Sequence, residues 1–306
     1  MHSEYGAALR SVPNSDMHTT SRQSNADSIA VLGIDAAWTA HNPSGVSLWR
    51  RDQGRWACVR VSPSYAAFCG VESSRFDDRA DVPAILATCR KLLGNCPLRA
   101  VAVDMPIANS PITGRRAADN AASREFGARH CSTHSPSPTR PGEVSSALTK
   151  AFGEKGYPVA CDESAKAPAL VEVYPHVSLL AIARYGEPNG RRYAENYRLP
   201  YKAATTRKYW PTITDANERR QRLIAVWNDI LSRLAQFADI SVFSLPNDIE
   251  ERSFEALKPY EDQIDALVCA WTAARFVERA LVPMGDDRSA IWVPKELIEL
   301  ITAIPS

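Results

Sequence analysis

Two short apolar runs each end at an aspartate, and they constrain the fold more than any other feature of the sequence. Residues 29–34 (IAVLGI) are followed by Asp35, and residues 99–103 (RAVAV) are followed by Asp104. Nearly continuous apolar runs of this length are typical of strands that are buried on both faces of a sheet. Open α/β sheets bind ligands beyond the carboxyl ends of their strands, so adjacent parallel strands would bring both aspartates to one edge. We therefore predict an α/β fold with a binding edge at Asp35 and Asp104.

Further strand-like segments complete the predicted sheet. Residues 45–49 and 56–61 are separated by a turn-forming stretch, and with the first strand they predict a three-stranded antiparallel meander. Helical spacing over residues 82–93 predicts a helix that crosses back over the sheet. Residues 169–174 (ALVEVY) predict a third buried strand that contains Glu172.

Four other segments have the spacing of helices, namely residues 113–127, 143–152, 217–237 and 263–281. In the last of these Asp265 falls in the first turn, where the helix dipole favours a carboxylate. Residues 253–261 are less regular, so we expect the helix to begin after them. Residues 130–142 are too rich in serine and proline for regular structure and predict a loop.

The order of the elements is that of an RNase H-like fold: a three-strand meander, a helix, parallel strands, and a late helix that carries Asp265. We predict one RNase H-like domain over residues 28–306, built on a mixed sheet flanked by helices. Helical insertions are expected around residues 107–165 and 184–258. Residues 1–27 lack apolar periodicity and predict a disordered tail.

The chain has almost no net charge. Its 36 Lys and Arg residues balance 35 Asp and Glu, so no global basic field exists to attract nucleic acid. A nucleic-acid partner would need a local patch, and residues 201–210 (YKAATTRKYW) interleave basic and aromatic side chains suitably. Packing of the same aromatic residues in a second layer explains this segment equally well.

Cysteine usage and the absence of long apolar runs favour a cytoplasmic location. The seven cysteines are scattered and include no C-x-x-C pair, as is typical of buried thiols in a reducing compartment. No apolar run reaches the roughly 18 residues that a membrane span requires, and the amino terminus lacks the apolar segment of a signal peptide. We therefore expect no membrane partner.

Acidic side chains that meet at one edge need a neutralising partner. Carboxylates that lie close together repel and raise one another's pKa unless a cation compensates them. Hard oxygen ligands of this kind select Mg²⁺ or Mn²⁺. Two such ions about 3.5–4 Å apart could activate a water and stabilise the leaving oxygen in phosphodiester hydrolysis. This chemistry predicts a metal-dependent nuclease.

Six segments resemble the successive motifs of one family: GIDAAW, VAVDMPI, RRAADNAASREFG, LVEVYPHVSLL, LPYK and DALVCAWTAAR. The family is called domain of unknown function 429, and its members are regarded as predicted nucleases of RNase H-like fold. The resemblance spans about residues 29–293. It implies a set of metal ligands that are also catalytic, here Asp35, Asp104, Glu172 and Asp265. It further implies polar positions that would contact substrate, here Arg116, Asp119, Arg124 and Lys202.

Several positions have a second interpretation. Where members of the family often carry another glutamate, this chain has His176, which can also ligate a metal or contact phosphate. Asp262 lies on the same helical face as Asp265 and is a lesser candidate, although an N-cap favours the same residue type. Glu172 could face solvent from its strand, and His134 in the predicted loop is expected to be solvated.

Two other functions stay open. A sugar kinase or ATPase of the actin-like branch shares the core fold, but that branch has a Gly-rich turn beside its first aspartate. Here Ala36, Ala37 and Trp38 follow Asp35 instead. The other function is a catalytically silent module that binds nucleic acid or a protein through residues 201–210. A scaffold has no need of repelling carboxylates, which favours the enzyme.

Overall fold

The computed structural model describes residues 28–39, 41–71, 79–184 and 198–303. In these ranges an eight-stranded mixed sheet is flanked by helices, as the sequence predicts. The predicted tail, residues 1–27, lies outside the described residues, and so does part of the insertion predicted around 184–258.

The central sheet combines antiparallel and parallel strands. Its strands are β1 (Ile29–Asp35), β2 (Gly45–Asp52), β3 (Arg55–Ser62), β4 (Leu98–Val103), β5 (Ala169–Glu172), β6 (Ala238–Asp239), β7 (Leu281–Gly285) and β8 (Ala290–Pro294), in the spatial order β6-β3-β2-β1-β4-β5-β8-β7. The predicted meander is confirmed in β1, β2 and β3, and β1, β4 and β5 are parallel neighbours. This arrangement is consistent with an RNase H-like fold, and it brings the carboxyl ends of three strands to one edge.

Helices cover both faces of the sheet. They are α1 (Tyr65–Cys69), α2 (Val82–Leu93), α3 (Ala117–Phe126), α4 (Glu143–Glu154), α5 (Pro175–Arg184), α6 (Thr206–Tyr209), α7 (Ala216–Phe237), α8 (Phe254–Val277) and α9 (Lys295–Ala303). Helices α1, α2 and α4 share a core with Ala30, Leu32 and Ile34 of β1, whereas α3, α5, α7 and α8 share another with Val31. Burial on both faces explains why β1 is apolar at nearly every position.

The helix that carries Asp265 is longer than predicted. It begins at Phe254 rather than at residue 263, and the Ser253 side chain caps it by accepting a backbone hydrogen bond. Asp262 is therefore an interior residue and not an N-cap, and Asp265 is not in the first turn. The prediction was wrong because residues 253–261 include Pro259, a residue that disfavours helices. At this position the proline removes one backbone donor near the helix start, and the packed helix continues through it.

Smaller differences concern β5 and α3. Helix α3 lies within the predicted range 113–127, and β5 ends at Glu172 instead of residue 174 because Pro175 begins the next helix. Glu172 is only 3% exposed. The alternative in which this carboxylate faces solvent is therefore excluded.

Two glycines allow α8 to lie directly on the sheet. A Cβ at Gly33 of β1 would overlap backbone atoms of Ala270, and one at Gly45 of β2 would overlap the carbonyl of Asp262. Only glycine permits so close an approach of two backbones. The contact holds the middle of α8 against β1 and β2.

The cysteines are free thiols; Cys69 and Cys96 are half-buried and the other five are buried. Within the described part of the chain, none of the helices has both the length and the apolar character needed to cross a bilayer.

Candidate functional site

The carboxyl ends of β1 and β4 lie side by side, and each supplies a carboxylate. Ile34 and Val103 are partners in the parallel register, and the Asp104 N–H donates to the Ile34 carbonyl at 2.9 Å. Asp35 ends β1 and Asp104 directly follows β4. Both residues line an open cavity of about 540 Å³, the acidic cavity. The fold thus brings these two predicted residues together.

One face of α8 adds three more carboxylates. Glu261, Asp262 and Asp265 are spaced so that they share a face of the helix. Their exposures are 3%, 3% and 0%, and Asp262 lines the same cavity as Asp35. Together with the two aspartates at the strand ends, they form what we call the acidic centre.

Two lysines neutralise part of this charge. Lys202 Nζ donates to Asp265 Oδ2 and lies 3.4 Å from Glu261 Oε1. Lys258 Nζ lies 3.1 Å from Glu261 Oε1 and donates to Asp262 Oδ1. Five carboxylates therefore meet two ammonium groups, and negative charge is in excess when all of them are ionised.

Burial and mutual repulsion hold protons on the acidic centre. Burial raises the pKa of Asp35 well above its usual range, and the charges of Asp265 and Asp262 add to the effect. The pKa of Asp104 is raised to about 7, first by burial and then by Asp265. Burial also raises the pKa of Asp265 to about 6, against the attraction of Lys202. Near neutral pH the centre is therefore incompletely ionised, and a bound cation would displace its protons.

The acidic centre offers carboxylate oxygens, which are donor atoms of metal sites, but these oxygens do not form a closed coordination site. In the ranges that the structure describes, no three His, Cys, Asp or Glu side chains stand together as a metal-binding group. Ammonium groups instead lie against two of the carboxylates, Asp262 and Asp265. Two observations nevertheless fit a hard cation. Asp265 Oδ1 is buried without a hydrogen-bond partner among the described residues, and carboxylate oxygens are the ligands that Mg²⁺ prefers.

Glu172 belongs to a separate cluster of buried ion pairs. Arg116 donates to both oxygens of Glu172, at 2.6 Å each, and to both oxygens of Asp119, at 2.8 and 3.0 Å. The Ile107 N–H also donates to Glu172, at 2.9 Å. These bonds engage both oxygens of Glu172, and Arg116 joins this carboxylate to that of Asp119. Both acids also line a cavity together with Asp104.

A second cavity, of about 200 Å³, adjoins the acidic cavity and shares Trp38, Asp104 and His134 with it. Aromatic rings form much of its wall, so we call it the aromatic cavity. The ring centroids of Tyr174 and His176 are 5.3 Å apart, and those of Trp38 and His134 are 6.2 Å apart with the rings edge to face. The two cavities therefore lie side by side, and together we call them the cleft.

Other predicted residues lie outside the two cavities or in the packed layer behind them. Arg124 is exposed on α3 and lines neither cavity. Tyr201 is buried, and its hydroxyl is 2.9 Å from Nδ1 of His176, so this tyrosine packs in the second layer. Burial lowers the pKa of His176 to about 3, and its imidazole is therefore neutral. Arg207 and Lys208 are exposed on α6.

Three residues of the site are not apparent from the sequence. Lys258 and Glu261 lie in a stretch whose pattern is too irregular to predict a helix. Their spacing from Asp265, at i−7 and i−4, is the signal that could have identified them. Trp38 has no signal beyond its place after Asp35, because its neighbours His134 and Arg140 are distant in the sequence.

The fold and the site place this protein in the class of α/β proteins that have an acidic cleft at the carboxyl ends of central parallel strands. Within that class, the family model described as protein of unknown function (DUF429) matches residues 33–289. The chain therefore belongs to this family, as its motifs predict. No curated protein and no solved structure matches the chain.

Proposed function

We propose that the protein is a Mg²⁺- or Mn²⁺-dependent nuclease whose acidic centre holds the cation. The charge balance carries this proposal: five carboxylates, three of them buried and two half-buried, are compensated by only two lysines. Removing carboxylates from water costs on the order of several kcal/mol for each ion unless a partner compensates them. A divalent cation would supply the missing positive charge.

Asp35 and Asp104 are the ligands that the arrangement favours, because both line the open cavity. Asp262 and the unpaired Oδ1 of Asp265 would complete the set. Glu172 is left out, since both its oxygens are already bonded. With Asp262 in place of Glu172 the set again has four carboxylates. Because Lys202 and Lys258 already engage two of them, the set suits one cation better than the two that the sequence predicts. When bound, the cation would lower the pKa of a water molecule and offset the negative charge of the phosphodiester.

Lys202 would act beside the cation. It holds Asp265 through Oδ2, which orients the carboxylate and leaves Oδ1 without a hydrogen bond. Its side chain is 23% exposed, so its ammonium group can also contact a phosphate oxygen. A fixed positive charge at this position would stabilise the charge that develops during hydrolysis.

Two other functions fit the site less well. For a kinase, the turn after Asp35 would have to present free N–H groups to phosphate. Instead, the Ala37 N–H donates to Ser44 Oγ at 3.1 Å. For a silent binding module, the excess of carboxylates would lower stability without any compensating role.

Calorimetric titration of Mn²⁺ into the purified protein at pH 7.5 tests the metal site. The test variant is Asp35→Asn, and the matched control is Asp287→Asn, an exposed aspartate in the turn after β7. We expect about one Mn²⁺ per chain for the wild type and the control, with proton release that makes the heat depend on the buffer. Unchanged binding in Asp35→Asn would refute the assignment.

A hydrolysis assay tests the reaction separately. Labelled single-stranded and duplex DNA and RNA would be incubated with Mg²⁺ or Mn²⁺, and cleavage should be lost in Asp104→Asn but kept in Asp287→Asn. Mn²⁺ binding without cleavage of any of these substrates would refute the nuclease and retain the metal site.

A further inference from the structure

The aromatic cavity has the size of a single flat ring. Its volume of about 200 Å³ is below the roughly 300–1,000 Å³ of pockets that enclose drug-sized ligands, so a whole nucleotide would not fit. Trp38, Tyr174 and His176 line it, and the rings of the last two are tilted by 31° to one another. Aromatic side chains stack on nucleobases of any sequence because every base has a π-face.

Polar groups in the same wall can bond the edge of a base. The Tyr201 hydroxyl engages Nδ1 of His176, which leaves Nε2 as the second hydrogen-bonding atom of the ring. A neutral imidazole can donate or accept there according to its tautomer. Lys202 also lines the cavity and adds a donor. The cavity thus combines apolar faces with a few polar atoms, as pockets for ring compounds do.

The aromatic cavity lies beside the acidic cavity. Trp38, Asp104 and His134 belong to both walls. A ring held in the aromatic cavity therefore lies next to whatever group occupies the space over Asp35 and Asp104. In a nucleic acid the group attached to a base through its sugar is a phosphodiester, which is the bond that the proposed centre would cleave.

Two arginines lie beside aromatic rings, and one of them is in the wall of the acidic cavity. The Arg140 guanidinium is 5.8 Å from the centroid of Trp38, and that of Arg198 is 4.8 Å from the centroid of Tyr209. The positive charge of Arg198 lowers the pKa of His176, which lines the aromatic cavity. Cations and rings in this arrangement are typical of surfaces that bind single-stranded nucleic acid.

From this arrangement we infer that the aromatic cavity receives one unpaired nucleobase of a single-stranded nucleic acid, with the adjoining phosphodiester in the acidic cavity. The inference rests on the proposed nuclease function and names its substrate class. A base that is stacked and paired in a duplex would first have to be extruded, which costs energy that a single strand does not require.

Fluorescence anisotropy in EDTA tests this inference without metal or cleavage. The probes are a labelled thymidine 12-mer, an abasic phosphodiester chain of the same length and the 12-mer in a duplex. Both single-stranded probes carry the same phosphates, so their affinity ratio isolates the contribution of the bases. We expect the wild type to bind the thymidine strand about tenfold more tightly than the abasic chain, and more tightly than the duplex.

Variants of the aromatic cavity test whether it is responsible for the preference for the thymidine strand over the abasic chain. Trp38→Ala and Tyr174→Ala should reduce the ratio to within about twofold, whereas Trp38→Phe should keep most of it because a ring is retained. Phe243→Ala, at a half-buried aromatic residue in another cavity at the β6 edge, is the matched control and should leave the ratio unchanged. Asp35→Asn should also keep it, so a failed metal site and a failed base site are distinguishable.

Equal binding of the thymidine and abasic strands by the wild type would overturn the inference. So would binding of neither strand, a preference for the duplex, or an unchanged ratio in both alanine variants.

Discussion

Replacing Asp104 by asparagine should stabilise the protein by an amount that depends on pH. Burial and the charge of Asp265 raise the pKa of Asp104 from 3.8 to about 7. Between these values the native state holds a proton that the unfolded state has released, so stability falls as the pH rises through this window. Each pKa unit corresponds to about 1.4 kcal/mol, which sets an upper limit of about 4 kcal/mol.

The expected gain is smaller than this limit. Asp104 titrates together with Asp35 and Asp265, so removing one charge lets its neighbours ionise more easily. We expect the free energy of unfolding of Asp104→Asn to equal that of the wild type at pH 4. At pH 8 it should be higher by about 2 kcal/mol, and the melting temperature should rise by about 3 °C.

Urea unfolding followed by circular dichroism at pH 4 and pH 8, in the presence of a chelator, measures this difference. The control Asp287→Asn should stay within about 0.5 kcal/mol of the wild type at both pH values. Adding Mn²⁺ at pH 8 should stabilise the wild type more than Asp104→Asn, because the cation binds the native carboxylates. Equal stabilisation of Asp104→Asn at both pH values, or a loss at pH 8, would refute the reasoning.

Three further predictions concern buried contacts. Arg116→Met should lower the free energy of unfolding in urea by about 3–5 kcal/mol, because it leaves Glu172 buried without its partner; adding Glu172→Gln should recover part of the loss. Gly33→Ala should lower the free energy of unfolding by about 3 kcal/mol or more, because the added Cβ overlaps α8. Gly153→Ala is its control: this glycine lies in open space on α4, so the change should raise the free energy of unfolding by about 0.5–1 kcal/mol. Similar melting temperatures for these two alanine variants would contradict the close packing. The two half-buried cysteines should react with a thiol reagent in the native state, and the five buried ones only after unfolding. Rapid reaction of all seven thiols in the native protein would contradict the described burial.

Local patterns were sufficient to predict the strands that build the site. Residues 29–34 and 99–103 are apolar on both faces because helices cover both sides of the sheet, and this signal lies within the segments themselves. The aspartate that ends each run is equally visible. The parallel pairing of β1 with β4 then places Asp35 and Asp104 at one edge, as the order of elements predicts.

Local patterns were insufficient to predict the first part of α8, where the sequence does not favour a helix. The stretch before residue 263 contains Pro259 and reads as irregular, yet it is the first part of α8. The cap by Ser253, the buried side chain of Leu257 and the Ala203 N–H that donates to Glu261 hold the helix through this stretch. Tertiary packing outweighs intrinsic propensity here, and it therefore brings Glu261 into the acidic centre.

By itself the sequence determined the meander of β1, β2 and β3, the buried strand β4, and the aspartates at the ends of β1 and β4. Only the tertiary structure decided which arginine or lysine pairs with each acid. Arg116 binds the carboxylate of Glu172, which lies 56 residues later in the chain. Lys202 binds the carboxylate of Asp265, which lies 63 residues later. Partners so far apart are set by how helices and loops fold back onto the sheet, and no local pattern encodes them. For this reason four acids that look equivalent in the sequence divide by their surroundings: Glu172 is held by Arg116 and Asp265 by Lys202, whereas Asp35 and Asp104 line the acidic cavity.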